Sequence, residues 1–147
     1  MQNKDAQAFF TRGLEALGKN NTPVALTLLE KACILDSNPE MHSYLAYCLA
    51  KERGQIKKAL ALCEDAIIKD PRNVAHYLNL GKIYLLARKK SEAISIFRKG
   101  LDLEENQLII KELAMLGVRR SPVIASLPRN HPINKYLGLL LKKIGLR

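Results

Sequence analysis

The chain has 147 residues, 48% of them hydrophobic, and a formal net charge of +10. That length suits one domain with a buried core and excludes two ordinary ones, while an aromatic share of 5% without tryptophan, beside abundant Leu, Ala and Lys, favours helix over strand. Met1 to Phe10 has no leader-like apolar run, and the longest late aliphatic stretch, Leu137 to Leu141, is far below the roughly 20 residues a bilayer requires, so a soluble, cytoplasmic, all-α protein is expected.

The charge is unevenly placed: residues 108–147 carry +7 of the +10. Cys33, Cys48 and Cys63 are odd in number, lack ligand spacing and fall among apolar residues, which predicts small buried hydrophobes in a reducing compartment.

Taken in chain order, the apolar pattern repeats. Gly13, Ala46 and Gly81 are followed by Ala25, Ala59 and Ala93, then by Leu29, Cys63 and Phe97, then by Ala32, Ala66 and Gly100. The last three sets keep offsets of four and seven, so they share one helix face. Ahead of the first small residue, Phe9, His42 and Tyr77 occupy one position that fits a ring between helices. Each unit therefore reads as two helices, the first small where its neighbour crosses closely and the second carrying a small, large, small stripe.

Turn residues mark the boundaries. Thr22 before Pro23 predicts an N-cap with proline at the first helical position. Pro39 and Pro71 fall between units, and Gly54 lies in a turn of unit two that has one extra residue, within Lys51 to Gln55. Beyond the repeats, Leu108, Ile109, Leu113 and Leu116 before Gly117 predict a capping helix over about 107–116. Pro122, Pro128 and Pro132 break helix over 118–132, where Val123, Ile124 and Leu127 suggest an extended strip. From Pro132 an amphipathic helix is expected over about 132–144, with Ile133, Tyr136, Leu137, Leu140, Leu141 and Ile144 on one face and Lys135 and Lys142 opposite.

The run Tyr77, Leu80, Gly81, Tyr84, Ala93, Phe97, Gly100 resembles the tetratricopeptide repeat (TPR) pattern almost position for position. Unit two shares Leu45, Ala46, Ala59, Ala66 and Pro71, and unit one shares Phe9, Gly13, Ala25, Leu29 and Ala32. Departures are Arg12 for Leu, His42 for an aromatic, and Ser37 and Glu105 for Pro. The resemblance is to bacterial-type three-repeat proteins with a C-terminal extension. It implies an all-α right-handed superhelical solenoid with units at about 6–38, 39–73 and 74–107, a TPR domain over 1–117 and a basic tail over 118–147.

The family's concave face, lined by the first helix of each unit, implies a peptide-binding groove. Carried onto this chain it comprises Phe10, Thr11, Leu14 and Leu17, then Ser43, Tyr44 and Tyr47, then Leu78, Asn79, Lys82 and Leu86. The places where chaperone-binding relatives hold a terminal carboxylate have Phe10, Leu14, Tyr44, Ala75 and Asn79 here, so carboxylate capture is not expected. The expected function is an adaptor or scaffold that binds an apolar peptide or helix of another protein.

The tail offers alternatives. Ile133, Tyr136, Leu137, Leu140 and Ile144 suit docking on the repeats, including occupation of the groove, or contact with a partner or a second copy that would make a homo-oligomer. Arg119, Arg120 and Arg129 suit phosphates, yet no stacking aromatics alternate with them, so nucleic acid and membrane rank last as partners. No nucleophile with a base, paired carboxylate, phosphate loop or metal-ligand spacing is present, and His42, His76 and His131 are scattered; neither catalysis, a metal nor a cofactor is expected.

Overall fold

The computed structural model describes residues 2–118 and 131–143. Among them are eight helices and no strand: α1 (Gln2–Gly18), α2 (Thr22–Leu35), α3 (Pro39–Arg53), α4 (Ile56–Lys69), α5 (Val74–Leu86), α6 (Lys90–Leu103), α7 (Gln107–Met115) and α8 (Pro132–Lys143). The chain divides into two compact units, one ending at Glu112 and one beginning at Leu113.

In the first unit, α1 packs on α2, α3 on α4 and α5 on α6, giving three helical hairpins in series. The hairpins stack because α3 also packs against α2 and α5, and α4 against α5. Asparagine caps set the starts of four helices, and the one before α7 is Asn106, whose Oδ1 accepts from Ile109 N–H at 3.1 Å. Asn38 Oδ1 accepts from Glu40 N–H at 2.8 Å, and Asn73 Oδ1 from Ala75 N–H at 3.0 Å. The cap of α2 is Asn21, which accepts from Val24 N–H at 3.4 Å, and not Thr22, which is helical and buried. An amide oxygen one residue upstream reaches the free N–H groups, and Pro23 then sits within the first turn, where its missing donor costs nothing.

The first and third hairpin turns share one closure. Asn21 N–H donates to Ala16 C=O and Lys89 N–H to Tyr84 C=O, with Asn20 and Arg88 at positive φ. In the middle hairpin only Gly54 and Gln55 separate α3 from α4, so the expected extra residue lies in α3 and not in the turn. Gly54 takes the left-handed conformation at φ 64°, and Gln55 N–H reaches back to Leu49 C=O.

The small, large, small stripe is a packing device. A Cβ on Gly13 would lie 3.1 Å from Leu29 Cγ, and one on Gly81 would enter the ring of Phe97. In the middle hairpin the large partner is replaced by Cys63, and Ala46 fits where glycine is needed elsewhere; both are fully buried in one cluster. Burying a side chain such as Phe97 or Leu29 contributes about 2 kcal/mol. Gly100 admits α7, since a Cβ there would meet Ile109 Cδ1 at 2.8 Å and Tyr77 Cβ at 2.9 Å. Ile109 is fully buried and so covers the last hairpin.

In the second unit, α7 ends at Met115, one residue before the expected Leu116, and Gly117 turns the chain at φ 75° with Val118 N–H donating to Leu113 C=O. Helix α8 starts at Pro132, as the pattern predicts. The expected extended strip, with Pro122, Val123, Ile124, Leu127 and Pro128, lies outside the described residues, as does Ile144.

Candidate functional site

The first helices of the three hairpins present residues of α1, α3 and α5 on a shared face, joined by aromatic contacts. Phe10 of α1 meets Tyr44 of α3 edge to face, with ring centroids 5.7 Å apart and planes at 62°. Three residues along α3, Tyr47 lies under two ammonium groups, Lys82 Nζ from α5 at 5.1 Å and Lys51 Nζ at 5.8 Å from the ring centroid. Lys82 also approaches Glu112 Oε1 at 4.0 Å. Burial lowers the Lys82 pKa, Glu112 opposes that shift and Lys51 adds to it. The Tyr44 phenol is shifted upward, chiefly by burial and secondarily by Glu40. The Tyr44 phenol is therefore neutral near neutral pH.

The eleven expected groove positions differ in burial. Thr11 and Leu86 are exposed, and Leu14, Leu17, Tyr44, Tyr47 and Lys82 are half-buried. Phe10, Ser43, Leu78 and Asn79 are buried. For three of them the contacts are specific: Phe10 packs edge to face with Tyr44, and Asn79 Nδ2 donates to Ser43 Oγ at 3.2 Å while Ser43 Oγ donates to Glu40 C=O at 3.0 Å. That chain ties α5 to α3 under the surface and satisfies polar groups that would otherwise be orphaned.

Lys51 and Glu112 belong to this region without having been singled out as site residues. Lys51 stands four residues after Tyr47 on α3, a spacing that could have revealed it. His76 is fully buried on α5, with neither ring nitrogen hydrogen-bonded among the described residues and Nε2 3.8 Å from Asp70 Oδ2. Burial lowers its pKa and Asp70 opposes that shift, so its imidazole is neutral at pH 7.

The cysteines are chemically quiet. Burial pushes the thiols of Cys48 and Cys63 up to about 12 and that of Cys33 to about 11, with Glu52, Glu64 and Asp36 respectively adding to the rise. Among the described residues no three His, Cys, Asp or Glu side chains converge as a metal site requires.

Of the expected tail residues, Ile133, Tyr136 and Leu140 are exposed on α8 and Leu137 is half-buried. Arg119, Arg120, Arg129 and Ile144 lie outside the described residues.

Three stacked hairpins with this small-residue stripe match tetratricopeptide repeat models over residues 10–71 and again over 50–113. The chain belongs to the tetratricopeptide repeat family. Solved TPR structures share the fold at low identity. The Arabidopsis OM64 TPR domain is 22% identical with a TM-score of 0.62, covering 80% of this chain and 98% of that one. The first TPR of Spaghetti (RPAP3), bound to the HSP90 peptide SRMEEVD, is 18% identical with a TM-score of 0.62, covering 80% and 96%. The Yersinia enterocolitica type III secretion translocator chaperone SycD is 18% identical with a TM-score of 0.56, covering 77% and 86%. The sequence matches no curated protein. TPR units of this kind are protein-binding modules, and no helix among the described residues of this one is long and apolar enough to cross a membrane.

Proposed function

We propose that the protein is a cytoplasmic adaptor whose TPR domain, residues 1–117, holds an apolar peptide or an amphipathic helix of another protein against α1, α3 and α5. The observation that carries this reading is the state of Tyr44 and Tyr47. Both are half-buried, each is held in place by a neighbour, and Leu14, Leu17 and Leu86 offer apolar surface on the same helices. Rigid aromatics with one covered side bind at low entropic cost and are the usual anchors of a protein interface.

Lys82 and Lys51 beside Tyr47 give the site direction, favouring a ligand that carries an acidic or carbonyl group next to its apolar anchor. A groove with Phe10 and Leu14 at two of its positions lacks the set of donors that a terminal carboxylate pair demands, which separates this reading from heat-shock peptide capture.

The test is affinity capture from the native host with wild-type chain and with Tyr44→Ala/Tyr47→Ala. The double variant is expected to lose the partner while keeping its helical circular dichroism. An unchanged set of captured proteins would refute the assignment.

A further inference from the structure

The second unit has a chemistry of its own. From Leu113 to Arg147 the sequence holds seven Lys or Arg and no Asp or Glu. Within it, Tyr136, Leu139, Leu140 and Lys143 stand at i, i+3, i+4 and i+7 on α8, with Ile133 one turn ahead, so they share one stripe. Four of these are large hydrophobics in solvent: Tyr136 is 75% exposed, Leu139 58%, Leu140 54% and Ile133 48%. Lys135, Lys142 and Lys143 are exposed on the same helix. From the sequence alone Leu139 lies off the main apolar face; in the structure it joins the exposed one.

We propose that α8 binds an anionic lipid surface, lying flat with Ile133, Tyr136, Leu139 and Leu140 at the headgroup and acyl boundary and its lysines on the phosphates. Two properties favour lipid over other anions. A nucleic acid offers charge but little to cover four large hydrophobics, whereas a lipid interface offers apolar depth and negative charge together. The absence of any acidic residue across the second unit removes the repulsion that such a surface would otherwise meet. At twelve residues α8 is about 18 Å long, enough to lie in the interface and too short to cross it. Tyrosine suits that boundary because its ring is apolar and its hydroxyl wet, and the lysine stems can reach up past the leucines.

The experiment is cosedimentation of the full chain with phosphatidylcholine vesicles, with and without 30 mol% phosphatidylglycerol, at about 0.1 M salt. Binding is expected only to the phosphatidylglycerol vesicles. Lys135→Gln/Lys142→Gln/Lys143→Gln is expected to weaken it about a hundredfold, from roughly fivefold for each lysine near the surface. Leu139→Glu/Leu140→Glu is expected to abolish it, with an unchanged melting temperature showing that the repeats stay folded. Three results would overturn the proposal: no binding to anionic vesicles, binding that survives Leu139→Glu/Leu140→Glu, or displacement from vesicles by an equal charge of polyuridylate or polyglutamate.

Discussion

Gly81 and Phe97 interlock: the phenyl ring of α6 occupies the volume that any side chain at position 81 of α5 would need. The closeness of the two helices in the third hairpin depends on that missing Cβ. Gly81→Ala should therefore destabilise the chain by about 1–3 kcal/mol through overpacking, despite the higher helix propensity of alanine. Phe97→Leu in the same chain should recover part of the loss. Urea denaturation of the two singles and the double measures the coupling, and strict additivity would contradict the interlock.

The polar chain under the groove predicts an asymmetry. Ser43→Ala leaves the buried Asn79 amide without its acceptor and should cost about 1–3 kcal/mol. Asn79→Leu leaves Ser43 still donating to Glu40 C=O, so adding it to Ser43→Ala should restore stability rather than subtract more. Chemical denaturation of the three variants reads this directly.

His76 makes the repeats acid-sensitive. Its folded pKa is held below the ordinary 6.5 by burial, so the unfolded chain takes up the proton more readily. Stability is then full above about pH 6.5 and falls as pH drops below that value. The equivalent residue of the middle hairpin is the buried Met41. His76→Met should raise the melting temperature at pH 5 more than at pH 7.5 and flatten the profile between them. His42, also lowered by burial and by Lys69, accounts for slope that remains.

Much of the fold was legible in the sequence because packing between helices of a hairpin is local. Gly13 with Leu29 and Gly81 with Phe97 lie within one unit, and the size match they require repeats visibly. The cap of α2 was misplaced because Thr22 and Asn21 both suit the role, and only geometry shows which oxygen reaches Val24. The expected groove positions were legible as helix positions but not in their burial. Whether Phe10, Ser43, Leu78 and Asn79 are buried depends on contacts across hairpins, such as Phe10 with Tyr44 and Asn79 with Ser43, which no spacing within a unit specifies. His76 gave no signal because a buried, unpaired imidazole has no pattern, and the tail has no repeat to compare it with.

The central claim is that the face of α1, α3 and α5 receives a partner. Its most direct test places the photo-crosslinking residue benzoylphenylalanine at one of two exposed positions, Leu86 on α5 beside the groove or Ile34 on α2, a second helix off that face. Irradiation in the native host should join the same partner to the chain through position 86 and leave position 34 uncrosslinked. Partner captured through position 34 and not through position 86 would contradict the account.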